Sequence, residues 1–152
     1  MMMVATDTKC ILLVEDDQDD AALAMRALTD NRIANEIVHV RDGAEARDYL
    51  FGVGAYAGRD VSDCPQLVLL DLKLPKIDGL DILRRIRADD RTRLIPVVIL
   101  TSSDAEEDLL RSYRLGANSF VRKPVDFDQF REAVRELSVY WLLINEPPPK
   151  GA

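Results

Sequence analysis

The chain alternates between short, continuously apolar runs and longer stretches in which apolar residues recur every three or four positions. Unbroken runs of four or five apolar residues read as strands buried on both faces, whereas the longer period reads as amphipathic helix. Ile11-Leu12-Leu13-Val14, Leu67-Val68-Leu69-Leu70 and Val97-Val98-Ile99-Leu100 are the clearest strands, and Ser119-Phe120-Val121 marks a shorter one. Glu36 to Val40 reads as another strand, at the sheet edge. Asp17 can cap a helix reaching about Thr29, with Ala21, Ala24, Met25 and Leu28 inward. Asp42-Gly43 opens a helix carrying Ala46, Tyr49, Leu50 and Phe51; Asp78-Gly79 opens one with Leu80, Leu83 and Ile86 inward. Ser103 and Glu106 have the spacing of a capping box for a fourth helix, which Gly116 ends as a left-handed C′ residue. A last helix starts near Phe127. Strict alternation of five strands and five helices predicts an α/β fold with a doubly wound parallel sheet.

Two segments exceed what this core requires. Gly52 to Gln66 is longer than an ordinary connection and reads either as a tolerated surface insertion or as a partner-contacting loop. In the last helix, Phe127, Phe130, Val134, Leu137, Trp141 and Ile144 form one inward stripe. Beyond Ser138, however, the helix is apolar all round, and Tyr140, Trp141, Leu142, Leu143 and Ile144 become a candidate dimer patch. The expected organisation is an N-terminal tail over 1–8, one domain over 9–138, and an apolar extension with a proline tail over 139–152.

Each strand stops at polar residues: Glu15-Asp16-Asp17, Asp71, Thr101-Ser102-Ser103 and Arg122-Lys123-Pro124. Ligands of such sheets bind outside the carboxyl ends of the strands. In a flavodoxin-like strand order 2-1-3-4-5, Glu15, Asp16 and Asp71 become neighbours at the switch point. Crowded carboxylates require a counter-charge, and Mg2+ suits oxygen ligands and phosphate. Asp16 and Asp71 are the expected direct ligands and Glu15 a ligand through water. Taken singly, these residues read equally as helix caps and a turn. A carboxylate can also act as a nucleophile, and Asp71, alone at its strand end, is the best candidate. Lys123 and the Thr101 hydroxyl would then neutralise the phosphoryl oxygens.

These motifs resemble the receiver domain of two-component response regulators, the CheY-like fold, over about residues 9–137. The resemblance rests on Glu15-Asp16, Asp71 with Pro75 and Gly79 behind it, Thr101, and Lys123-Pro124. It implies that Asp71 accepts phosphate from a phosphohistidine on a partner kinase, and that the Lys73 carbonyl completes the metal site. It also implies that Thr101 swings towards the phosphoryl group while Phe120 turns inward. Three departures stand out: Glu15 where aspartate is also frequent, Phe120 in place of tyrosine, and the added cation of Lys73. The long connection and apolar extension further resemble regulators that partner bacterial phytochrome kinases.

Composition narrows the partners. A net charge of −7 in 152 residues argues against nonspecific nucleic-acid binding. No apolar stretch approaches the roughly 20 residues of a membrane span, and no signal-peptide pattern is present, so a cytoplasmic location is expected. Cys10 and Cys64 are expected as free thiols. His39, the only histidine, is expected in an edge strand away from the pocket, so the phosphoryl donor must be another protein. Arg111, Tyr113 and Arg114 are expected on or near the output surface. Two other classes stay open: a phosphorylation-independent adaptor, and a Mg-dependent phosphatase, although Lys73 stands where such enzymes carry a second aspartate.

Overall fold

The structure, a computed structural model, describes residues 10–30, 36–63, 65–124 and 126–149. The expected tail over 1–8 and Cys64 lie outside these residues. Five parallel strands, β1 (Cys10–Val14), β2 (Glu36–Val40), β3 (Leu67–Leu70), β4 (Val97–Thr101) and β5 (Ser119–Arg122), form one sheet in the order β2-β1-β3-β4-β5. The helices are α1 (Gln18–Asp30), α2 (Gly43–Phe51), α3 (Gly79–Ala88), α4 (Glu106–Arg114) and α5 (Phe127–Val139).

Alternate strand residues point to opposite faces, and both faces are covered. Ile11, Leu13, Leu67, Leu69, Val98 and Leu100 pack with α1 and α5; Leu12, Val14, Val68, Leu70, Val97 and Ile99 pack with α2 and α3. On α1 the inward residues are Ala21, Ala24, Ala27 and Leu28, with Met25 only partly buried.

Four helices start on an aspartate that accepts the N–H three residues on. The pairs are Asp17–Asp20 at 2.9 Å, Asp42–Glu45 at 2.8 Å, Asp78–Asp81 at 3.0 Å and Asp126–Gln129 at 3.0 Å. The fourth helix departs from expectation, because Ser103 and Glu106 form no capping box. Helix α4 starts behind Ala105, which has no side chain able to cap it. Ser103 lies too early, in a turn, where its hydroxyl donates to Asp108 Oδ2 at 2.6 Å and accepts the Ala105 N–H at 3.3 Å. At the other end Gly116 (φ 99°) closes α4, with the Ala117 N–H on the Ser112 carbonyl at 2.9 Å.

Two glycines let the β3–α3 loop lie close to its neighbours. A Cβ on Gly79 would sit 2.2 Å from the Asp71 carbonyl oxygen, and one on Gly43 would sit 1.9 Å from that of Ile77. The Gly43 N–H instead donates to the Pro75 carbonyl at 3.1 Å, tying the start of α2 to this loop. Lys76, at φ 72°, turns the loop and pairs with Asp42 at 3.3 Å.

The long connection folds onto its own domain. The Arg59 guanidinium lies 3.9 Å over the Tyr49 ring, and Tyr56 meets that ring edge-on at 5.2 Å. Tyr56 Oη donates to Glu45 at 3.1 Å. Cys10 is a buried free thiol, with Sγ 3.8 Å from Tyr49 Oη.

The end of α5 corrects the inward stripe. After Val139 the helix widens into a π turn, Tyr140–Ile144, closed by the Asn145 N–H on the Tyr140 carbonyl at 2.6 Å. The buried positions are Phe130, Val134, Ser138 and Leu142, and Leu137 and Trp141 of the expected stripe pack partly buried against the same core, while Phe127 and Ile144 are 65% and 67% exposed. Leu142 therefore belongs to the core and not to an exposed patch; Tyr140 and Leu143 remain exposed. Leu142→Ala is expected to cost about 2–4 kcal/mol in denaturant unfolding, and Leu143→Ala under about 0.5 kcal/mol.

Candidate functional site

Register decides what meets at the carboxyl edge of the sheet. Val14 pairs with Leu70, so the next residues, Glu15 and Asp71, emerge side by side. Each continues its strand by one bond: the Glu15 N–H donates to the Val40 carbonyl and the Asp71 N–H to the Val14 carbonyl, both at 3.1 Å. Carboxylate oxygens of Glu15, Asp16 and Asp71 lie within 4.8 Å of one another, with Glu15 and Asp71 buried and Asp16 exposed.

Two strands away, Thr101 pairs with Arg122, and the Lys123 N–H donates to the Thr101 carbonyl at 2.8 Å. From there the Lys123 stem carries its ammonium to Glu15 Oε1 at 2.6 Å, Asp20 Oδ2 at 2.9 Å and Asp71 Oδ2 at 3.1 Å. The side chains of Lys123, Glu15 and Asp71 are 8%, 4% and 8% exposed, so this is a buried ion cluster rather than a surface bridge. The Thr101 hydroxyl is buried and accepts the Ser103 N–H at 3.3 Å. Lys73, whose side chain is exposed, approaches Asp71 Oδ1 with its backbone N–H at 3.4 Å. Phe120 is half-buried against the core on the α2/α3 face.

One ammonium facing three carboxylates leaves the site short of positive charge. Burial pushes the Glu15 carboxyl up to about 7, against the opposing hydrogen bond from Lys123, and the charge of Asp71 pushes the same way. Burial alone would lower the Lys123 ammonium, yet the bonds to Glu15 and Asp20 and the charge of Asp71 hold it above the usual lysine range. The clustered oxygens are the donor set a hard divalent cation takes, and such an ion would supply the missing charge.

The sequence matches the response regulator receiver domain over residues 11–135. The chain belongs to that family. Members of the receiver family take a phosphoryl group on an aspartate in two-component signalling. Among curated relatives, the probable methanogenesis regulatory protein FilR2 of Methanothrix harundinacea (strain 6Ac) is 42% identical, over 97% of this chain and 92% of its own length. Response regulator Rcp1 of Synechocystis sp. (strain ATCC 27184 / PCC 6803 / Kazusa) is 37% identical over 88% of this chain and 89% of its own. The crystal structure of the Mn(2+)-bound form of Rcp1 matches with TM-score 0.86 at 35% identity, covering 93% of this chain and 99% of that one. The phosphorylated cyanobacterial phytochrome response regulator RcpA matches with TM-score 0.87 at 39% identity, over 93% of this chain and 99% of its own.

This receiver gathers Glu15, Asp16, Asp71 and Lys123 at one edge, with Thr101 at the adjoining strand end. Asp20 was absent from the expected set. In sequence it is one of two acids in the first turn of α1, where helix polarity alone accounts for it. Asp16 precedes the capping Asp17 and lies outside the helix, so no helical spacing in the sequence tied Asp20 to the pocket. His39 also differs from expectation. Its Nε2 lies 2.8 Å from the Glu15 carbonyl oxygen, so the edge strand touches the backbone of a pocket residue. Arg111, Tyr113 and Arg114 are exposed on α4.

Glu15 gives the receiver a pH dependence. Its carboxyl titrates near 4.5 when unfolded and about 7 in the metal-free fold. Below the lower value both states are protonated, and the stabilising difference is complete; it is lost as pH rises towards 7. In chelator, wild-type unfolding midpoints are expected to fall more steeply between about pH 5 and about pH 8 than those of Glu15→Gln. Equal slopes would show that Glu15 does not hold a proton in this window.

Proposed function

We propose that Asp71 accepts a phosphoryl group from the phosphohistidine of a partner histidine kinase, with Mg2+ as the metal. The observation that supports this best is the Lys123 ammonium 3.1 Å from Asp71 Oδ2, beside the three clustered carboxylates. An Asp71 carboxylate oxygen attacks phosphorus and forms a P–O bond. The P–N bond breaks, and the imidazole leaves with that electron pair and takes up a proton from solvent. Asp16, Asp71, the Lys73 carbonyl and, through water, Glu15 would hold Mg2+, which when bound would offset the charge on the phosphoryl oxygens. Lys123 moves its donor from the Asp71 carboxylate to a phosphoryl oxygen, and Thr101 donates its hydroxyl to another. Phe120 follows Thr101 inward, and the surface of α4, β5 and α5 changes with it. The acyl phosphate adds about one negative charge and further acceptor oxygens, which bias this two-state element. Loss of the group is self-catalysed hydrolysis, so no separate substrate is turned over.

The partner kinase is proposed to be of the bacterial phytochrome type, on the likeness to RcpA and Rcp1. The similarly close relative named for methanogenesis regulation means that scaffold alone does not select the input. Residues 9–138 form the signalling unit, and 139–152 the extension through which two copies associate. Tyr140, Leu143 and Ile144, at 47%, 60% and 67% exposure, with half-buried Trp141, are the surface for that contact. The acidic chain suits a protein partner rather than nucleic acid. A buried Cys10 thiol fits the cytoplasm. Among the described residues no helix is long and apolar enough to cross a membrane.

Acetyl phosphate or beryllofluoride with Mg2+ is expected to modify or bind the wild type and not Asp71→Asn, as read by intact-protein mass or fluorine NMR. Equal uptake by the variant would refute the acceptor assignment. Leu143→Ser combined with Ile144→Ser is expected to shift sedimentation from dimer to monomer while circular dichroism shows the fold retained. No shift would remove this patch from self-association.

A further inference from the structure

A lysine ammonium carries three N–H donors, and at Lys123 each has a carboxylate to meet: Glu15 Oε1 at 2.6 Å, Asp20 Oδ2 at 2.9 Å and Asp71 Oδ2 at 3.1 Å. Two of these acceptors have a second role. Glu15 and Asp71 stand just beyond β1 and β3 and, with Asp16, make up the oxygen cluster suited to a cation. Asp20 lies outside that cluster, in the first turn of α1. Transfer of a phosphoryl group to Asp71 makes no use of it as ligand or nucleophile.

Both partners of this contact are held from behind. The Asp20 N–H donates to the Asp17 cap at 2.9 Å, and α1 is seated on the sheet by Ala21, Ala24, Ala27 and Leu28. The Lys123 N–H is fixed on the Thr101 carbonyl at 2.8 Å, and its side chain is 8% exposed against 27% for Asp20. Helix polarity does not account for the contact, because the exposed Asp19 serves the same end of α1 equally. Of these two acids, Asp20 alone meets the ammonium, across 103 residues of chain.

We infer that Asp20 is a positioning residue for phosphoryl transfer, holding the Lys123 ammonium over the cleft while its other two carboxylate partners turn to the cation and the phosphoryl group. The inference rests on the acceptor role of Asp71. A lysine stem is long and flexible, and an ammonium stripped of its partners regains rotamer freedom that is lost again when phosphoryl oxygens arrive. Asp20 keeps one donor occupied at a fixed point on α1. The stem then stays folded inward, and a donor released by the Asp71 carboxylate is already beside the acceptor when the phosphoryl group reaches it. Ordering of the ammonium thus precedes the reaction.

Proton–nitrogen NMR of lysine ammonium groups in the full chain reads Lys123 directly, with its signal assigned by loss in Lys123→Arg. The wild type is expected to show a slowly exchanging Lys123 ammonium, both unliganded and with beryllofluoride and Mg2+. In Asp20→Ala that signal is lost with beryllofluoride and Mg2+. Modification by acetyl phosphate with Mg2+, in which an Asp71 oxygen bonds phosphorus and acetate leaves, becomes about tenfold slower. Asp20→Asn, which keeps an oxygen acceptor, restores most of both. Asp19→Asn, which removes the same helix charge, changes neither. An ammonium still protected in Asp20→Ala with beryllofluoride, or an unchanged rate with acetyl phosphate, overturns the inference, as does an equal loss in Asp19→Asn. A wild type that takes up no beryllofluoride refutes the acceptor role of Asp71 instead. The unliganded spectra then decide, since Asp20→Ala must speed exchange of the Lys123 ammonium severalfold, and unchanged exchange would refute the hold.

Discussion

The Lys123 ammonium, shared among Glu15, Asp20 and Asp71 beneath the surface, is the contact on which the functional end of this fold depends. It can form only if β1, β3 and β5 all stop at the right level, because a slip of one residue would turn each charged group to the opposite face. Hydrophobic burial along the strands sets that level, and the charges collect at its edge. Such a cluster is a poor source of stability, since desolvation of buried ions offsets much of their attraction. Removing the ammonium alone would strand several carboxylates at a cost of about 3–5 kcal/mol, relieved in part by protonation of Glu15. The charges are therefore explained better by phosphoryl chemistry than by folding.

The fold was legible because its strands are buried on both faces and spell that out as uninterrupted apolar runs. The three predicted helix starts that rest on aspartate, at Asp17, Asp42 and Asp78, follow from one mechanism, a side-chain oxygen meeting an orphan N–H. Ser103 and Glu106 failed because the same spacing arises when a serine belongs to the turn before the helix. Asp16, Asp71, Thr101 and Lys123 were legible as strand-end residues, since topology alone brings strand ends together. Asp20 and His39 were not. Each has an ordinary local explanation, and only the third dimension shows that Asp20 meets Lys123 and that His39 meets the Glu15 backbone.

The end of α5 shows a different limit. A strict helical period carries the inward stripe to Trp141 and Ile144, but Ser138 is already buried ahead of the wider turn, and Leu142 follows it inward while Trp141 is only partly buried and Ile144 is exposed. Hydrophobicity all round a helix says that some face is uncovered without saying which.

Gly43 gives α2 an influence that its own side chains do not suggest. The first turn of that helix presses bare backbone against the Pro75–Ile77 segment, which is continuous with the loop carrying Lys73. The helix contributes no carboxylate to the pocket, yet its start is fastened to the loop by the Gly43 N–H and by the Asp42–Lys76 pair. A methyl group at Gly43 would stand 1.9 Å from the Ile77 carbonyl oxygen, so helix and loop could no longer keep their present spacing.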